Sequence, residues 1–112
     1  MIILKIFRRA EWDAFSAKGE TNGAPVDLAD GYIHFSTPEQ AAETAAKHFA
    51  AAPDLILVAV DPHVLGDALK WEPSRGGALF PHLYRALRMT DVLWHCPLPL
   101  GPDGHIFPKD TQ

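Results

Sequence analysis

Two short stretches of the chain gather side chains that can do chemistry. Residues 31–37 read GYIHFST, and residues 70–84 read KWEPSRGGALFPHLY. In an extended chain, successive side chains point to opposite faces. Tyr32, His34 and Ser36 then share one face, opposite Ile33 and Phe35. A solvated face more often carries Lys, Glu or Thr, and a buried one Val or Leu. Two hydroxyls and an imidazole in line suit a cleft lined by hydrogen-bonding groups. Two readings of His34 stand level: a histidine satisfied by a nearby carbonyl, or one that faces a ligand. Ser36 also has two readings, a cleft hydroxyl or the cap of the helix that follows it.

In the second stretch Glu72 lies between Trp71 and Pro73, so its backbone is extended. A carboxylate beside an indole is partly desolvated, which raises its pKa and suits proton transfer. The competing reading is a surface carboxylate at a strand end. Arg75-Gly76-Gly77 reads either as an anion-binding turn or as a flexible loop. His82 and Tyr84 flank Leu83 and share a face if extended. Tyr84 can then stack on a flat ligand, and His82 can bind a hydroxyl or phosphate. His48, His63, His95 and His105 stand alone, His48 late in a helix where it favours the negative end of the dipole. No HExxH, paired CxxC, GxSxG, P-loop or GxGxxG pattern is present. Zinc held by His34, His82 and Glu72 is a remote alternative, and no metal is expected.

The elements that must hold these residues follow from pattern. Residues 2–7 are mostly apolar and read as a first strand. Residues 9–18 read as a short helix with Trp12 and Phe15 on one face, stopped at Gly19. Residues 20–30 carry Asn-Gly and Pro and read as a loop. After the strand at His34, Thr37 fits an N-cap, Pro38 the first helical position and Gln40 the third, a capping box with a proline start. Ala42, Ala45, Ala46 and Phe49 make a narrow apolar stripe on that helix. Residues 54–62 form a continuous apolar run, read as a central strand buried on both faces. Residues 63–67 turn the chain, 68–72 read as a short strand and 73–81 as a loop. Residues 82–87 and 92–100 are further strands, and 101–107 a turn with a short end strand. Strands and helices do not alternate regularly, so the expected class is α+β in a single domain covering 1–112.

The bulk numbers agree with a globular chain: 112 residues, 47% hydrophobic, 21% charged. A net charge of −4 argues against bulk nucleic-acid binding, yet leaves room for a pocket that takes one phosphorylated ligand. The single cysteine, Cys96, cannot form an internal disulfide and reads as a small buried hydrophobe. The first apolar stretch is too short for a signal peptide and no run reaches the length of a membrane span, so a cytoplasmic protein without a membrane partner is expected.

The order DGYIHFSTPEQAAETAAKHF, DLILVAVDP, KWEPS and FPHLYRAL resembles a family of small bacterial and plant proteins of unknown function. The resemblance runs from the first strand to about residue 107. That family is grouped with the ADP-ribosyltransferase fold, a split α+β sandwich with two main helices that binds NAD in a cleft. The resemblance implies NAD or another small ADP-ribosyl nucleotide as ligand, with an unknown acceptor as possible partner. His34 would stand where many transferases place a ligand-contacting side chain, and Arg8 loosely matches a first-strand basic residue. Glu72, His82 and Tyr84 match the family's second cluster. Glu72 and His34 become the catalytic candidates, with Tyr32, Ser36, Arg75, His82 and Tyr84 as ligand-binding residues. Two alternatives stand beside this reading: a module that senses a nucleotide without turning it over, and an RNA 2′-phosphate-processing enzyme on the same fold. The latter would hold a phosphate with Arg75, Arg85 and Arg88.

Overall fold

The computed structural model describes residues 1–108. Its centre is an antiparallel sheet in the order β1-β4-β8, built from β1 (Ile3–Arg8), β4 (Leu55–Val60) and β8 (Val92–Leu98). Every residue of β4 is buried, as a strand paired on both edges and covered on both faces must be. Leu55, Leu57 and Ala59 face one layer, and Ile56, Val58 and Val60 the other. On the first side lies α3 (Pro38–His48), which brings Ala41 and Ala45 onto Ile2, Leu4, Ile6 and Leu98. On the second side lie α1 (Arg9–Lys18), with Trp12 and Phe15, and a second sheet in the order β3-β6-β5. Ile33, Phe35 and Leu83 bring this sheet into the same core. The class is α+β, as the sequence indicates.

The second sheet consists of β3 (Ile33–His34), β5 (Leu69–Ser74) and β6 (Ala78–Leu83). It meets the first through a bridge in which the Leu4 and Ser36 amides each donate to the other's carbonyl, at 2.7 and 2.8 Å. Two small ribbons complete the strands: β2 (Glu20–Thr21) with β7 (Leu87–Arg88), and β9 (Leu100–Gly101) with β10 (Gly104–His105).

Because Leu4 bonds outward to Ser36, alternation directs the amides of Ile3, Lys5 and Phe7 toward β4. The same alternation carried across β4 turns the nitrogen of Pro97 away from the ladder. A residue without an N–H there costs no ladder bond and blunts the open edge of β8.

Several elements differ from the sequence expectation. Residues 20–30 hold β2 and the six-residue helix α2 (Pro25–Asp30), closed by Gly31 at φ +87°. The turn at 63–67 includes the short helix α4 (Pro62–Leu65). The loop expected at 73–81 is the tip of a hairpin, with a 3-10 turn at Arg75–Gly77 and β6 beginning at Ala78. The buried stripe of α3 is Ala41 and Ala45, with Phe49 half-buried, while Ala42 and Ala46 are exposed. With alanine at all four positions, the sequence does not mark which face turns inward.

Candidate functional site

The outer face of the second sheet carries the polar residues singled out above. Register sets His34 of β3 opposite His82 of β6, with Lys70 of β5 opposite His82 on the other side. Glu72 pairs with Phe80, so it lies diagonal to His82 on the same face. Tyr84 follows β6 and holds its course by donating its amide to the Ala68 carbonyl at 2.8 Å.

These side chains touch. The Tyr32 ring stacks on His82 with centroids 4.2 Å apart, and lies 4.7 Å from His34 and 5.2 Å from Tyr84. His34 and His82 meet edge to face at 5.4 Å. Glu72 Oε1 accepts from the Tyr84 hydroxyl at 2.7 Å and from His82 Nδ1 at 2.7 Å. Its Oε2 has no hydrogen-bond partner among the described residues. The two donors hold the Glu72 carboxyl below its ordinary value, Tyr84 more than His82. The same bond pushes the Tyr84 hydroxyl up to about 12. This corrects the expected rise for Glu72. Trp71 points to the opposite face of the strand, so its indole does not desolvate the carboxylate. Glu72 is therefore ionised at neutral pH and suits a charge-stabilising role better than proton donation.

His34 is held by a buried carboxylate that the sequence reading passed over. Asp27, the third residue of α2, accepts from Lys5 Nζ at 2.7 Å and the Ala24 amide at 2.8 Å on Oδ2. On Oδ1 it accepts from the His34 amide at 3.0 Å and His34 Nδ1 at 2.6 Å. Burial alone would raise the Asp27 carboxyl. The His34 bonds and the Lys5 charge overcome that and hold it at about 2. Asp27 is thus ionised, and Nδ1 of His34 is the donor. Burial pushes the Lys5 ammonium down, against the pull of Asp27. The other ring nitrogen, Nε2, faces Asp30 Oδ2 at 3.0 Å. The carbonyl partner considered for His34 is replaced by two carboxylates.

A cleft of about 640 Å³ opens beside this cluster. His34, Ser36, Phe80 and His82 line one wall, Ala41, Thr44 and Phe49 of α3 another, and Pro25, Val26 and Asp30 of α2 a third. Its size and mainly apolar lining suit a small organic ligand. Ser36 reaches the cleft wall, but its hydroxyl lies 2.8 Å from Thr44 Oγ1 and not against Tyr32 or His34. Thr37 is the helix cap: its hydroxyl accepts the Gln40 amide, and Gln40 Oε1 accepts the Thr37 amide. The backbone of Arg75 lies in the 3-10 turn, and its side chain lies outside what the structure describes.

Other candidates are accounted for elsewhere. Arg85 is forked onto Asp91 at 3.0 and 3.2 Å. His95 packs on Trp12 with centroids 4.4 Å apart, and His105 Nε2 bonds the Ala52 carbonyl at 2.8 Å. Burial pushes the half-buried Cys96 thiol up, away from thiolate chemistry. Among the described residues no group of three His, Cys, Asp or Glu is placed to hold a metal ion, and no helix is long and apolar enough to cross a membrane.

Two antiparallel sheets with a polar cluster beside a cleft define a small α+β class of protein. Residues 6–95 match the model of the family described as a protein of unknown function, DUF952, and the chain belongs to that family. It is similar to the crystal structure of protein CC0527 from Caulobacter crescentus, with 54% identity and a TM-score of 0.90 over 94% of this chain and 92% of that one. It is also similar to the solution structure of the same Caulobacter protein, with 55% identity and a TM-score of 0.83 over 93% and 90% of the two chains. No curated protein matches the chain at a significant level.

Proposed function

We propose that the protein binds NAD or a related ADP-ribosyl nucleotide in this cleft, on a scaffold of the ADP-ribosyltransferase type, and that Glu72, which stands with Tyr32 and Tyr84 beside the cleft and not in its lining, serves cleavage or transfer of the ADP-ribosyl group. The observation that supports it is the Glu72 carboxylate. One oxygen is fixed by Tyr84 and His82, the other has no hydrogen-bond partner among the described residues, and the Tyr32, His34 and His82 rings stand on the same face. Breaking the nicotinamide–ribose bond sends its electron pair to the leaving nicotinamide and leaves an oxocarbenium-like carbon, which water or an acceptor hydroxyl then attacks. An ionised carboxylate preorganised by two donors stabilises that positive charge. The exposed Tyr84 ring offers an aromatic surface to the nicotinamide. The terminal-phosphate alternative is weakened, because Arg85 is spent on Asp91.

Calorimetry with NAD, ADP-ribose and nicotinamide tests binding, and nicotinamide release tests turnover. Glu72→Gln keeps size and one acceptor but removes the charge. It should lower the rate on the order of a hundredfold while binding is largely kept. Equal rates in both proteins would remove Glu72 from the mechanism. Binding without release by the wild type would select a nucleotide sensor, and no binding of any of the three would end the reading.

A further inference from the structure

Asp30 is an odd residue for its position. It is the last residue of α2, where the helix presents its carbonyls, and a carboxylate there gains nothing from the local backbone. It is exposed, and its Oδ2 lies 3.0 Å from His34 Nε2, an ion-pair contact when that nitrogen also carries a proton. Both residues line the cleft. The other edge of the imidazole is committed, since Nδ1 donates to Asp27, and all four acceptor positions of that buried carboxylate are filled. Nε2 is therefore the edge of His34 that meets whatever enters the cleft. In this structure it meets an anion that belongs to the chain itself.

Lys5, Arg8 and Glu11 also line the cleft. Lys5 is spent on Asp27, and the Glu11 carboxylate is spent on the Arg8 amide at 2.8 Å. The Arg8 guanidinium packs over the Phe49 ring at 5.0 Å and has no carboxylate partner among the described residues. Asp30 is the carboxylate that stands on the His34 ring nitrogen not committed to Asp27.

We propose that His34 Nε2, as the second N–H of the imidazolium ring, is the binding point for an anionic oxygen group of a ligand, a phosphate or a carboxylate, and that Asp30 occupies this point until the ligand displaces it. Asp30 is then a specificity device: a ligand must bring an anion good enough to replace an exposed carboxylate, and neutral groups do not. Asp27 is a positioning residue that keeps the ring edge turned to the cleft. The proposal goes beyond the nucleotide reading and holds whether or not NAD is the ligand.

The test uses pyrophosphate and malonate as probes, titrated into the full chain by two-dimensional NMR that follows the His34 ring signals. Asp30→Ala removes the competitor and should tighten binding of at least one probe by roughly tenfold, about the worth of one charge-assisted hydrogen bond. Asp30→Asn keeps a weaker acceptor and should give a smaller gain. Tighter pyrophosphate alone assigns the point to phosphate, and tighter malonate alone to carboxylate. The gain should vanish in Asp30→Ala/His34→Gln. Asp67→Ala, an exposed acidic residue outside the cleft, controls for net charge and should change nothing. Unchanged affinity in Asp30→Ala, a gain that survives loss of His34, or an equal gain in Asp67→Ala would each overturn the proposal. Failure of NAD to bind in the calorimetry above would leave it standing.

Discussion

Asp27 shows how much one side chain can organise. It is fully buried, fills all four acceptor positions from within the molecule, and joins β1, α2 and β3 through Lys5, Ala24 and His34. Gly23 makes room for it, since a Cβ at that position would strike the Asp27 carboxylate. The carboxyl lies at about 2 in the folded protein against 3.8 for an unperturbed one. A folded value below the unfolded one means that the stabilisation is present above about pH 4 and is lost as pH falls toward 2. That loss is on the order of 2 kcal/mol. At neutral pH, Asp27→Asn breaks a buried pair and strands Lys5, which should cost about 3–5 kcal/mol. Denaturant unfolding of wild type and variant across pH 2–7 measures both. The gap between them should narrow through the acid window, and a gap constant with pH would show that the carboxylate is not the group that titrates there.

At the scale of elements, the helix start at Thr37 was readable because its bonds are local. Thr37 and Gln40 satisfy each other across three residues, and proline presets the first turn. Thr37→Ala should cost about 1 kcal/mol, and Thr37→Ser much less, in chemical denaturation. No loss in the alanine variant would mean that the Gln40 side chain and proline suffice to start α3. The buried strand at 55–60 was equally readable, from an apolar run that only a strand covered on both faces carries. What failed to show were features whose partners come from afar. α2 has six residues, follows Asn-Gly, starts on Pro25, and buries a single side chain, a carboxylate paired with residues 22 and 7 positions away. No local periodicity records such a helix. The pKa of Glu72 was misjudged for the same reason. Its neighbour in sequence, Trp71, points away, and the groups that set its charge lie 10 and 12 residues on. The pairing of His34 with His82 was legible only in part: alternation gave the faces of the two stretches, but not that the two strands would lie side by side.

The whole molecule is two apolar layers that share one strand. Leu57 and Val58 are neighbours in sequence and fully buried, one in the layer under α3 and the other in the layer under the second sheet. Neither layer can come apart without exposing a face of β4, and that coupling also keeps the cleft walls in register, since α3 belongs to one layer and β3 and β6 to the other. The molecule should therefore unfold as one cooperative unit, the usual behaviour of a domain this size. The three tryptophans make this measurable. Trp12 lies in the layer with the second sheet, Trp94 packs against the layer with α3, and Trp71 is exposed on β5. In Trp71→Phe/Trp94→Phe fluorescence reports the first layer, and in Trp12→Phe/Trp71→Phe it reports the second. Within each variant the fluorescence midpoint in denaturant should coincide with that of far-UV circular dichroism, even if the two variants differ in stability. A Trp94 transition that precedes the loss of secondary structure would show that α3 and its layer melt first. The cleft would then open by losing a wall, and Leu57 and Val58 would belong to separate cooperative units despite lying side by side in one strand.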